Sequence, residues 1–210
     1  MKITVLLATL LAAWAVDTAR GAVEIFNSGG AVGTIADGNP VGSAFVGNVS
    51  DITAGQLVGA LTLSLNISGG YNGDLYAYLV APNGTLVPLL NRPGVGANVF
   101  GASGAGMNIT LQDGAGTQGS IQGVTSSVVL SGTYNAAGSL AGVNGSVADG
   151  TWTLYFADLS SGGGTSVLNS WSLGITPVPE PVNVALAMFG LVLVGGGVVR
   201  RCLRKNIRPQ

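Results

Sequence analysis

Asp74 and Asp158 are the residues of this chain best placed to do chemistry. Each stands where a glycine-rich loop meets an alternating apolar run. Asp74 follows Gly69-Gly70-Tyr71-Asn72-Gly73, and Asp158 lies between the run ending at Phe156 and the loop 160–165. Calcium takes several hard oxygen ligands from carboxylates, carbonyls and water, so two such aspartates would suit a calcium site. The competing use is local, because an Asp at a turn satisfies the N–H groups of that turn. Asp37 and Asp113 are weaker candidates of the same kind, and no EF-hand or repeated acidic motif accompanies them. Tyr71, Tyr76 and Tyr78 would offer aromatic surface to a sugar ring, or simply cover a sheet face.

Other chemistries lack their parts. The 210 residues contain no histidine, so a Ser-His-Asp hydrolase has no imidazole to take the serine proton. The one cysteine, Cys202, excludes an intrachain disulfide. Gly101-Ala102-Ser103-Gly104 has neither the lysine nor the strand-to-helix setting of a phosphate loop. Seven of the eight bases lie at the two ends. Between residues 22 and 177, Arg92 alone stands against seven acids. Phosphate binding needs clustered Lys and Arg, so nucleic acid is not an expected partner.

The elements that must position these residues read as strands. Leu61, Leu63, Leu65 and Ile67 alternate with Thr62, Ser64, Asn66 and Ser68, the period of a half-buried strand. Leu75, Ala77 and Leu79 oppose Tyr76, Tyr78 and Val80. Pro82-Asn83-Gly84 is a turn. Thr85–Leu90 is expected as an edge strand, because Pro88 cannot donate to a ladder. Weaker strands are expected at Met107–Asp113 and Ser127–Leu130. Clear alternation returns at Trp152, Leu154 and Phe156, and again at Trp171, Leu173 and Ile175. Trp152 and Trp171 are expected in the core. Charged residues are 8% of the chain, against roughly 25% in ordinary domains. The 35 glycines supply turns. No helical period appears in the body. The expected fold is all-β, a sandwich.

The ends give an address. Lys2, the apolar run Ile3–Val16 and the small residues of Ala19-Arg20-Gly21 form a secretory signal, with cleavage after Gly21 or, second, Ala22. At the other end, Val178-Pro179-Glu180-Pro181 precedes an uncharged stretch over 182–199. As a helix this spans roughly 27 Å, close to a bilayer's hydrocarbon thickness. Arg200, Arg201, Arg204 and Lys205 follow and would stay on the cytoplasmic side. The expected organisation is a signal peptide over 1–21, a β-sandwich over 22–176 and a Pro-rich sorting segment over 177–181. A transmembrane helix over 182–199 and a basic cytoplasmic tail over 200–210 follow. The β domain is expected outside the membrane, with no protease domain before it.

Two resemblances add to this. The order Val178-Pro179-Glu180-Pro181, apolar span, Arg200-Arg201 resembles the PEP-CTERM sorting signals of bacteria rich in extracellular polysaccharide. That likeness implies processing by an exosortase-type membrane enzyme and transfer to the cell surface or matrix. Gly73-Asp74-Leu75, Leu79 and Pro82-Asn83-Gly84-Thr85 resemble the core of the proprotein convertase P domain (P/Homo B). Gly150-Thr151-Trp152-Thr153-Leu154 with Asp158, then Leu168, Trp171, Leu173 and Ile175, continue the likeness, and Ile35-Ala36-Asp37 resembles its opening. This second resemblance spans about residues 32–176. It implies a jelly-roll-like sandwich of about eight strands that supports a subtilisin-like protease in other chains.

The function expected is that of a non-catalytic, exported surface or extracellular-matrix module, with the membrane, a sorting enzyme and extracellular polysaccharide as partners. The alternatives are a carbohydrate- or calcium-dependent binding domain and a protease accessory domain acting in trans.

Overall fold

Alternation in the sequence becomes burial in the folded chain. The computed structural model describes residues 24–26, 30–50, 52, 54–114, 117–178, 189–190 and 192–193. One compact unit runs over Val23–Pro177. Its strands are β1 (Glu24–Phe26), β2 (Gly33–Ile35), β3 (Ser43–Val49), β4 (Val58–Gly69), β5 (Leu75–Val80), β6 (Leu86–Asn91), β7 (Met107–Leu111), β8 (Leu130–Tyr134), β9 (Gly150–Asp158) and β10 (Ser166–Pro177). Three short 3-10 turns, Asn72–Asp74, Ile121–Gly123 and Leu140–Val143, join them.

The strands make two sheets. The larger has the order β1-β10-β4-β7-β8, with β2 also paired to β10; the smaller is β3-β9-β5-β6. Pairing is antiparallel except between β7 and β8, which run parallel. β10 lies beside β4, and β9 sits between β3 and β5. The crossovers between sheets that this requires give the jelly-roll-like sandwich expected from the sequence.

The inward faces meet as one apolar core. Leu61, Leu63, Leu65 and Ile67 of β4 are buried, with Leu75, Ala77 and Leu79 of β5 and Trp152, Leu154 and Phe156 of β9. Each fully buried Leu or Phe contributes about 1.5–3 kcal/mol relative to exposure. Trp152 is fully buried and its Nε1–H donates to Ala148 O at 3.0 Å, so its polar group is not lost with its area. Trp171 is buried as well. Leu168 and Trp171 both face inward although three residues apart, because a register shift falls between Leu168 and Ser170. A bulge adds one residue and resets the alternation.

Three differences from the sequence reading have physical causes. There are ten strands among the described residues, not about eight, since β1, β2 and β3 precede the first expected strand. In β3 the inward residues are Phe45, Gly47 and Val49. Gly47 reads as a breaker in sequence, but here it faces Trp152 across the ladder. The strand expected at Ser127–Leu130 lies instead at Leu130–Tyr134. Val128 and Val129 are exposed, and Ser126 Oγ accepts the Val128 N–H at 3.2 Å to close a bend. β6 is an edge strand as expected, with a bulge at Pro88. Its outer carbonyls are covered, since Ala137 and Gly138 N–H donate to Leu89 O and Pro88 O at 2.9 and 2.8 Å.

Among the described residues no helix is long and apolar enough to cross a membrane. The span expected over 182–199 lies outside them, apart from Phe189, Gly190, Val192 and Leu193, whose backbone is helical. The signal segment with Gly21 and Ala22, the triplet Pro179-Glu180-Pro181, and Arg200, Arg201, Arg204 and Lys205 also lie outside.

Candidate metal centre and the outer sheet face

The β5–β9 ladder brings the two expected aspartates together. Leu75 pairs with Asp158 across the ladder. Leu159 N–H donates to Asp74 O at 2.9 Å. Asp74 closes the 3-10 turn Asn72–Asp74, and that turn is pinned from a third segment: Asn72 N–H donates to Gly104 O at 3.0 Å and Gly73 N–H to Ala102 O at 2.9 Å. Both carboxylates are sequestered, Asp74 at 7% exposure and Asp158 at 0%.

One oxygen of Asp158 does the local work that any turn aspartate does. Its Oδ1 accepts the Ser160 N–H at 3.1 Å. Its Oδ2 is buried and has no hydrogen-bond partner. Among the described residues two other buried side-chain oxygens share that condition, Asn72 Oδ1 and Ser166 Oγ. All three lie on the two segments that meet here, the turn after β4 and the loop from Asp158 to Ser166. Gly70 and Gly163 mark how closely these segments pass. A Cβ on Gly70 would collide with Ser166 Oγ, and one on Gly163 would come within 2.9 Å of Asp74 Oδ2. The sequence reading passed over Asn72 and Ser166, since a loop Asn and a strand Ser carry no distinguishing pattern.

The electrostatics is that of like charges in a dry place. Burial, and then the neighbouring Asp158, raise the Asp74 carboxyl above its ordinary range, with Arg92 offsetting part of the rise. Burial also raises Asp158, against the N–H groups of Ser160 and Gly38 that favour its ionised form. Arg92 is otherwise occupied. Its Nε donates to Gly73 O at 3.1 Å and its Nη2 to Val99 O at 3.3 Å. Asp37 approaches as an exposed neighbour whose Oδ2 accepts the Gly162 N–H at 3.1 Å. Among the described residues no three carboxylate or thiol groups converge on a common point. Any cation here therefore has two carboxylates and must take its other oxygens from the amide, hydroxyl, backbone and water.

Asp113 lies elsewhere and is fully engaged. Its Oδ2 accepts the Ser139 hydroxyl at 2.7 Å and the Ala141 N–H at 2.8 Å, and its Oδ1 accepts the Leu140 N–H at 3.1 Å. A cleft of about 210 Å³ beside it, between Ala60 and Thr62 of β4 and Ala141 and Asn144, holds no other charged group.

The tyrosines divide. Tyr76 and Tyr78 project from the outer face of β5, with Tyr155 of β9 beside them. Tyr78 stacks on Tyr155 at 4.5 Å between ring centres, and Tyr76 meets Tyr78 edge-on at 6.1 Å. The Tyr155 hydroxyl donates to Val41 O. Burial raises its pKa, as do the two neighbouring phenols. Ala44, Val46, Thr151, Thr153 and Val80 complete this uncharged face. Tyr71 stands apart, against the Asp74 turn, where it would meet a Cβ on Gly163.

No curated protein matches the chain. The Aeromonas sobria serine protease in its complex with the chaperone matches with 17% identity, over 75% of this chain and 26% of that chain, at a TM-score of 0.44. The same protease crystallised by itself matches with 17% identity, over 73% and 26%, at a TM-score of 0.41. The chain thus spans about a quarter of the length of those proteins. The model of the proprotein convertase P-domain family matches residues 58–175, from the first residue of β4 into β10. That range omits Ile35–Asp37 but contains both buried aspartates and more than half of the sequence. This chain belongs to the proprotein convertase P-domain family.

Proposed function

We propose that this chain is a non-catalytic P-domain module, exported, anchored by its C-terminal segment and processed by an exosortase-type sorting enzyme. The observation that carries the reading is the order of the tail. β10 ends at Pro177, and Val178-Pro179-Glu180-Pro181, an uncharged stretch over 182–199 and Arg200-Arg201 follow without interruption. Prolines keep such a segment extended and open to a processing enzyme, and the arginines favour a cytoplasmic C-terminus. On the outer face of the smaller sheet, tyrosines flanked by Thr and Asn, without charge, suit a neutral extracellular polysaccharide. With no histidine in these 210 residues, a Ser-His-Asp hydrolase would have no group to take the serine proton.

Intact mass and fractionation from the native cells test this, beside a variant with Pro179, Glu180 and Pro181 replaced by Ala. The expected product has lost the residues beyond the Pro-Glu-Pro segment and leaves the membrane fraction, while the variant keeps its full C-terminus. Identical full-length, membrane-bound forms of both would end the sorting proposal.

Family membership favours a second reading, support of a subtilisin-like protease in trans. Co-purification of such a protease with the tagged chain, at stoichiometric yield, would select it.

A further inference from the structure

We infer that the outer face of the smaller sheet is a binding platform for a neutral polysaccharide, with Tyr76 and Tyr78 as its aromatic contacts and Tyr155 as their support. The inference deepens the polysaccharide part of the reading above, and it rests on the sandwich rather than on the tail. Register places the rings. Tyr78 pairs with Tyr155 across the β5–β9 ladder and with Pro88 across the β5–β6 ladder. Tyr78 stacks on Tyr155 at 4.5 Å, and Tyr76 meets Tyr78 edge-on at 6.1 Å. The Tyr155 hydroxyl is tied to Val41 O, and a Cβ on Gly42 would collide with its ring. Tyr155 is thus a fixed backing for Tyr78, which leaves less side-chain freedom to lose on binding. The next rung of the sheet runs Val46, Thr153, Val80, Leu86. Val46 and Leu86 are 47% and 50% exposed. Four strands make the strip roughly 14 Å across, room for a few linked sugar rings.

Charge selects the occupant. The four strands of this sheet carry one charged side chain, Asp158, and it is fully buried. A cationic partner finds no carboxylate on the face. An anionic one meets a domain in which Arg92 alone stands against seven acids between residues 22 and 177. The ligand that fits is neutral. It brings C–H groups to the rings and hydroxyls to Thr153, which are the two kinds of surface that a sugar ring carries. A second copy packed here would take Thr153 and the phenols out of water, a cost that a hydroxylated ligand does not impose. The other sheet supplies the contrast. From Thr62 to Ser68 on β4, and on β7, the outward residues are Ser, Thr and Asn, without a ring. Several of their polar groups already bond to one another. Ser64 Oγ lies 3.1 Å from Thr110 Oγ1, and Asn169 Nδ2 donates to Asn66 Oδ1 at 2.9 Å.

The test uses the full chain in a detergent without a sugar head group. Its mobility is measured in native gels containing hydroxyethyl cellulose, galactomannan or alginate. Saturable retardation is expected in at least one of the two neutral polymers and not in the anionic alginate. Tyr76→Ala and Tyr78→Ala should each weaken binding roughly two- to tenfold. Val46→Asp places a charge on the face at an exposed position and should weaken it too. Asn108→Asp, exposed on the other sheet, should bind as the parent does. If Tyr78→Ala fails to fold, Tyr76→Ala and Val46→Asp decide. No retardation by either neutral polymer would overturn the platform. So would equal retardation by alginate, equal weakening by Asn108→Asp, or unchanged binding by both Tyr76→Ala and Val46→Asp. A concentration-dependent dimer that Tyr76→Ala abolishes, with no retardation of the parent, would overturn it by assigning the face to a second copy. Any of these failures leaves the sorting reading standing, because the mass and fractionation experiment reads the tail alone.

Discussion

A single carboxylate can hold a turn that is distant in sequence. Asp113 receives the N–H groups of Leu140 and Ala141 and the hydroxyl of Ser139, so it caps the 3-10 turn Leu140–Val143 from outside. Partial burial works against its ionised form, but the three hydrogen bonds outweigh it, and the carboxyl sits below its ordinary range. The folded state therefore favours the carboxylate. The resulting stability is present above the unfolded value of about 3.9 and is lost as pH falls through the lower folded value. Asp113→Ala should cost about 1 kcal/mol at neutral pH, as the loss of a helix cap does. Denaturation midpoints of parent and variant should converge once the pH has fallen below the lowered folded-state value of Asp113. A difference that persists there would mean that packing, not the charge, holds the turn. Gly70 is the second test at this scale. Its φ of +65° and the position of Ser166 Oγ both exclude a side chain. Gly70→Ala should lower stability by roughly 2 kcal/mol, read from the same midpoints.

Strands differ in what their side chains are worth, and pairing on both sides explains why. β9 pairs with β3 on one side and β5 on the other, and its inward residues are fully buried. β6 is at the edge, and Leu86 is 50% exposed. Leu154→Ala should therefore cost about 3–4 kcal/mol, whereas Leu86→Ala should stay within about 0.5 kcal/mol. Equal costs in urea denaturation would mean that the core is not where the sheet order puts it. The strands most plainly legible in sequence were those whose inward positions all carry apolar side chains, β4, β5, β9 and the end of β10, while β6 and β7 were read from weaker patterns. β3 was not legible because Gly47 interrupts its apolar set. The reach of β10 back to Ser166 was obscured by the bulge after Leu168, which breaks the period of two. The site was half legible for the same kind of reason. Asp74 and Asp158 could be chosen from their place at loop–strand junctions, but their adjacency is a property of the β5–β9 register, which connects residues about eighty apart. Asn72 and Ser166 became visible only once burial had removed their solvent.

At the scale of the molecule, the sandwich must stand on burial alone. The one cysteine, Cys202, lies outside the compact unit Val23–Pro177, so no disulfide restrains the unfolded chain within it. Its core is continuous across both sheets, from Ile35 and Phe45 to Leu173 and Ile175. A core of that extent in one unit should melt in a single step. A chain ending at Pro177 should therefore show a β-rich circular dichroism spectrum and one cooperative transition. Its calorimetric enthalpy near 60 °C should be about 110 kcal/mol, the value for a unit of this length. Reducing agent should leave the transition temperature unchanged. Sorting would leave such a unit intact, because cutting beyond Pro177 removes none of the strands that form the core. Two transitions, or collapse of the truncated chain while the full chain stays folded, would show that the sandwich leans on its tail. In that case release from the membrane and loss of the fold would be the same event, and a processed surface product could not persist.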